Sequence, residues 1–162
     1  MKSRLLLTAL LALIAVLVGS AIASGAPRVK IITFAARYSG NATVKQTGDT
    51  VDISAKGTGT GAPIGTGTIT GIGTGEAKAQ ACNGWSGTGV LKGTKGTISF
   101  KMLPGTQACG DEEATLFSVV GYAQVIKATG KLAKSKGKLK VTGSYDRGAG
   151  TFSAKFSGKL KQ

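Results

Sequence analysis

Between Gly57 and Gly75 the chain alternates glycine with threonine, and this period of two constrains its fold more than any other feature. In Gly57-Thr58-Gly59-Thr60-Gly61 and Gly65-Thr66-Gly67-Thr68, an extended backbone puts every threonine on one side and every glycine on the other. Threonine is a good strand former, and a glycine face lets a neighbouring backbone or sheet come close. Disorder is the competing reading of so glycine-rich a tract. The strict alternation favours a strand pair, with a looser core there than elsewhere. Glycine supplies 26 of the 162 residues but never takes the three-residue period of collagen.

Other segments alternate apolar and polar residues in the same period. Val51, Ile53 and Ala55 interleave with Asp52, Ser54 and Lys56, and Ile98, Phe100 and Met102 with Thr97, Ser99 and Lys101. Leu139 and Val141 interleave with Lys138, Lys140 and Thr142, and Phe152, Ala154 and Phe156 with Thr151, Ser153 and Lys155. One greasy and one wet face is the pattern of an antiparallel sheet solvated on one side. Gly-x-apolar also recurs at a spacing of seven: Gly89 and Gly96, Gly130 and Gly137, Gly143 and Gly150. Each pair reads as a strand end, a turn and a new strand. The segment from Asp111 to Gly130 is ambiguous. Its acidic start and final glycine suit a helix, whereas Phe117, Val119, Val120, Tyr122, Val125 and Ile126, with Gly121 among them, favour a strand. The strand reading is preferred. The expected fold is all-β, an up-and-down antiparallel β-barrel of about eight strands, with a β-sandwich as the alternative.

The N-terminus has the layout of a signal peptide. Lys2 and Arg4 precede the uncharged run Leu5–Val18, and Ala21-Ile22-Ala23 offers small residues for cleavage. Cleavage is expected after Ala23, with Gly25 or Ala26 as alternatives. That leaves residues 24–162 as one glycine-rich domain, secreted to an extracellular or periplasmic compartment, with no integral membrane segment. Removing two cations lowers the net charge from +14 to +12. Residues 122–162 hold ten lysines and arginines against one acid, Asp146. In an exported chain the two cysteines, Cys82 and Cys109, are expected to form a disulfide. Closing a loop of about 28 residues would stabilise by roughly 3–4 kcal/mol.

The run from Gly121 to Phe156, centred on Ala128-Thr129-Gly130-Lys131-Leu132-Ala133-Lys134-Ser135-Lys136-Gly137, resembles the allene oxide cyclase/dirigent-like barrel group. In that group a glycine-rich turn joins late strands of an eight-stranded antiparallel barrel. Small exported bacterial proteins of unassigned function look similar in the same region. This chain departs from the pattern at Thr129 or Ser135, where the group has a second turn glycine, and at Leu132, where it has an aromatic. The resemblance implies the barrel and covers the last third of the mature chain. None of the group's catalytic residues falls on a position here.

Chemical motifs are sparse. The chain has no histidine, the commonest general base. Three of its seven acids form the run Asp111-Glu112-Glu113, and Asp52 falls on a wet strand face. Ser86, in Trp85-Ser86-Gly87, has Thr88 where a nucleophile elbow requires its second glycine. No catalytic residue, cofactor or metal site is therefore assigned. Leu103-Pro104-Gly105-Thr106 reads as a turn, and Asn41-Ala42-Thr43 as a formal glycosylation sequon.

Two binding readings follow. In the first, a secreted non-enzymatic barrel adheres to anionic polymers or surfaces through C-terminal cations. Lys138, Lys140, Lys155, Lys159 and Lys161 fall on wet strand faces, with Lys131, Lys134, Lys136 and Arg147 in adjoining turns. Lysine outnumbers arginine, and Tyr145, Phe152 and Phe156 share the core phase, so sequence-specific nucleic-acid recognition is not expected. In the second, the barrel binds, or acts as an isomerase or cyclase on, a small hydrophobic ligand, with Trp85 at the rim. Packing of Trp85 on the disulfide is the simpler expectation for that residue. Oligomeric state is not specified by any of these features.

Overall fold

The computed structural model describes residues 28–76 and 82–162. The expected signal segment, 1–23, lies outside them. Nine strands run in chain order: β1 Ile31–Thr47, β2 Thr50–Ala62, β3 Gly65–Glu76, β4 Cys82–Gly93, β5 Gly96–Met102, β6 Gln107–Gly110, β7 Leu116–Ala128, β8 Lys138–Asp146 and β9 Thr151–Lys161. Every pairing is antiparallel, and β1, β2, β3, β4, β5, β7, β8 and β9 close into an eight-stranded barrel when β9 pairs back onto β1, from Ile31↔Lys161 to Asn41↔Thr151. Closure leaves no free edge strand in the ring.

The short β6 is the ninth segment. It pairs with β4 through Cys82↔Cys109 and with β7 through Gln107↔Val120, the same two neighbours that flank β5. The chain leaves the wall after Met102, turns at Leu103–Thr106 and returns along the same gap. Thr106 is buried in that turn, its Oγ1 donating to the Leu103 carbonyl at 2.8 Å. A Cβ on Gly121 would collide with the Thr106 hydroxyl, so the glycine inside β7 makes room for this interruption.

The Gly-Thr tract forms β2 and β3, with Thr58, Thr60, Thr66, Thr68 and Thr70 exposed and the glycines turned inward. Here the wall is tight rather than loose. Three aromatic side chains lean across onto glycines of the next strand. Tyr38 covers Gly59, its Cδ1 at 2.6 Å from where a Cβ would stand; Phe100 covers Gly89, with Cζ at 2.5 Å; and Trp85 covers Gly73, with Nε1 at 2.5 Å. The inner glycine face thus serves as a bed for aromatic rings from the adjacent strand.

Of the three seven-spaced glycine pairs, two are hairpins: β4 to β5 through Gly96, and β8 to β9 through Gly150. The middle pair is not. Gly130–Leu132 is a turn of 3-10 helix, entered at Gly130 with φ +63°. Its Leu132 is fully buried because it plugs one barrel end, and burying that side chain outweighs continuing the strand. Residues 116–128 are strand, and Asp111–Glu113 lies in the turn before it.

Candidate functional site

The two ends of the barrel are filled differently. At the end where β1, β3, β5 and β8 begin, the interior holds Phe34, Leu91, Ile98, Leu139 and Leu160, all fully buried. Ile64, from the β2–β3 turn, and Leu132 close that end as a floor. Toward the other end small inward residues such as Ala42, Ala55, Gly71, Gly143 and Ala154 are interspersed among the larger ones. Too little side-chain volume remains there to fill the barrel, and a cavity of about 480 Å³ opens. It falls within the usual span of small-molecule sites, about 300–1,000 Å³.

Its walls are apolar: Val44, Val51 and Ile53 on one side, Trp85, Phe100 and Met102 on the second, and Phe117, Tyr145 and Phe152 on the third. Glu76, Asp111 and Arg147 lie among the lining residues at strand ends or in turns. Among the described residues no group of three acids or cysteines converges as a metal site.

Trp85 faces the interior and packs on the core, while Cys82 is exposed on the outer side of the same strand. Strand alternation puts residues three apart on opposite faces, so the expected packing of Trp85 on the disulfide does not occur. Trp85 instead forms part of the cavity wall. The Cys82–Cys109 disulfide is present and joins β4 to β6 across one register pair.

Two titratable groups are shifted. Burial pushes the Tyr38 phenol above its ordinary value, and its hydroxyl is buried without a hydrogen-bond partner. Tyr38 also meets Phe156 edge-on at a centroid distance of 6.2 Å. Tyr38→Phe is expected to stabilise the fold by roughly 1 kcal/mol, because an unsatisfied buried hydroxyl is lost. The folded pKa is raised, so the phenol's contribution is complete below its unfolded pKa, about 10. It is lost as pH rises through the folded value, and Tyr38→Phe should flatten that alkaline decline. Urea unfolding at neutral and alkaline pH checks both points; a less stable variant would mean that the hydroxyl has a bonded partner. Asp111 is shifted the other way: the backbone N–H groups of Thr115 and Leu116 donate to its carboxylate and hold its pKa below the usual range. It thereby ties the turn that leads into β7.

The predicted cations separate into two places. Lys138 and Lys140 on β8, and Lys155, Lys159 and Lys161 on β9, are exposed on the outer wall, and β8 pairs with β9. Lys131, Lys134 and Lys136 are exposed in the connection leading into β8, where Lys136 bridges to Lys161. Arg147 lies in the β8–β9 turn at the opposite barrel end, roughly 30 Å of strand away. One cation that sequence reading missed joins the face. Arg37 on β1 stands directly across from Lys155, a neighbour that only barrel closure supplies. A second omission is the outer side of β7, where Tyr122 is exposed opposite Lys140. Its signal was visible, since Val119 and Val120 are consecutive apolar residues and a strand must turn one of them outward.

Comparison with protein-family models, with curated proteins and with solved structures returns no match.

Proposed function

We propose that this chain is an exported binding protein whose half-empty barrel takes up a small apolar molecule. The observation that carries the reading is the cavity of about 480 Å³, walled by aliphatic and aromatic side chains above a sealed floor. A ligand there would exchange water for apolar contact on most sides, the usual arrangement in small-molecule sites. The signal-like N-terminus and the disulfide support an oxidising, extracytoplasmic setting. The likeness to the allene oxide cyclase/dirigent-like group extends to the barrel fold. It also supplies a runner-up in which the bound molecule is isomerised or cyclised. Recovery of the ligand unchanged after long incubation favours carriage; conversion favours the runner-up.

The chain contains one tryptophan, and it lines the cavity, so occupancy has an intrinsic reporter. Titration with an apolar dye such as N-phenylnaphthylamine should saturate near one per chain and quench Trp85. Ala154→Phe, which projects a ring into the cavity, should weaken binding at least tenfold. Thr151→Phe, on the outer wall of the same strand and away from the cavity lining, should leave it unchanged. Equal dye binding by all three proteins would overturn the cavity reading.

A second reading has its own observation. The outer wall of β8 and β9, extended by Arg37, gathers six exposed cations, with Asp146 the only acid on these two strands. This supports adhesion to an anionic polymer or surface. Retention on a heparin column should fall steeply with salt. Changing Lys138, Lys140, Lys155 and Lys159 together to glutamine should abolish it, and retention indifferent to both would end this reading.

A further inference from the structure

We infer that the outer face of β7, β8 and β9 docks on anionic lipid bilayers, with the exposed side of β7 entering the interface. The inference rests on the cationic-face reading and narrows its partner to a lipid surface. On the outer side of β7, Leu116, Val120, Tyr122 and Ile126 are between 50% and 60% exposed. A water-facing barrel wall has no structural need for them. By contrast, the outer sides of β2 and β3 carry threonine, serine and charged residues, with Ile72 as the exception.

The apolar stripe is bracketed by cations. Register places Lys140 directly across from Tyr122, and Lys138 and Lys101 on either side of Gln124. One strand further, Lys155 stands across from Thr142, with Arg37 beyond it. Ile126 is the residue skipped where the β5–β7 ladder shifts register between Ser99 and Phe100, and it lies in the same outward phase as Val120 and Tyr122. The nearest acid on β8, Asp146, is at the far end of the stripe across from Leu116, its carboxylate accepting the Ala149 N–H at 2.9 Å.

A soluble polyanion would use the lysines and gain little from the aliphatic stripe. A bilayer surface uses both. Aliphatic groups and the tyrosine ring settle at the headgroup boundary, and flanking lysines reach anionic headgroups on flexible stems while their methylenes stay against apolar surface. Among the described residues no helix is long and apolar enough to cross a membrane. A second copy of the chain is a poor occupant, because pairing this face with itself would bring lysines together.

The test is sedimentation of the purified protein with vesicles of equal phosphatidylglycerol and phosphatidylcholine, against phosphatidylcholine alone, alongside heparin retention. The wild type should partition onto the anionic vesicles at least tenfold more strongly than onto the neutral ones. The double variant Tyr122→Ser with Ile126→Ser should lose at least tenfold of vesicle binding and keep its heparin retention; both sites are exposed, and circular dichroism verifies the fold. Changing Lys138, Lys140, Lys155 and Lys159 to glutamine should lose both activities. Full vesicle binding by the serine variant, or equal binding to neutral vesicles, overturns bilayer docking. Heparin retention without vesicle binding also overturns it but leaves polymer adhesion standing; loss of both refutes both. A concentration-dependent dimer abolished by the serine variant would assign the stripe to self-association and overturn docking as well.

Discussion

Gly59→Ala is expected to destabilise the barrel by about 3 kcal/mol, at the upper end of the range for overpacking. A β-carbon there would collide with the Arg37 carbonyl oxygen and lie 2.7 Å from the Tyr38 Cα. Both obstacles are backbone, so no rotamer change relieves them, and Tyr38 must also leave its bed against Phe156. The melting temperature should fall by on the order of 10 °C. Gly84→Ala is the matched control. Nothing lies within 4 Å of a β-carbon at Gly84, and its backbone is not in the left-handed region. That variant should be neutral or gain about 0.5 kcal/mol through the unfolded state. Similar melting temperatures for the two variants would remove the close approach of β1 and β2 as the reason for the inward glycine.

Changing Cys82 and Cys109 together to serine is expected to cost roughly 3–4 kcal/mol, from the entropy regained by the unfolded chain. The two cysteines are 27 positions apart, and their bond ties β6 to the start of β4. β6 is only four residues long and follows the interruption at Leu103–Thr106, so its own ladder contributes little to holding it. Loss should therefore appear first at the cavity end of the barrel, as faster amide exchange in Gln107–Gly110 than in β5. Reductant should bring the wild type to the stability of the double variant. A change below 1 kcal/mol would show that the ladder alone holds β6.

Legibility in the sequence followed the physics of each feature. Period-two patterning is local, so Val51 and Ile53, Phe100 and Met102, and Phe152 and Phe156 could be placed inward without knowing any partner strand. Cysteine number and spacing were enough for the disulfide. The seven-spaced glycines misled at Gly130, because the same short pattern serves a hairpin and a 3-10 turn, and only the need to plug the floor with Leu132 separates them. Trp85 was set on the disulfide because Cys82 is near in sequence, whereas parity along the strand sends the two side chains apart.

The chain by itself determined an antiparallel all-β wall with threonines on one face and glycines on the other, since side-chain alternation and turn glycines act within a few residues. Tertiary structure alone decided three other things. It chose which aromatic lies on which glycine, because that depends on the register between strands. It left the interior half empty, because cavity volume is a sum over eight strands and no single segment encodes it. It also set Arg37 beside Lys155 and Tyr122 beside Lys140, residues far apart in sequence that become neighbours only when β7, β8, β9 and β1 pair in the closed ring.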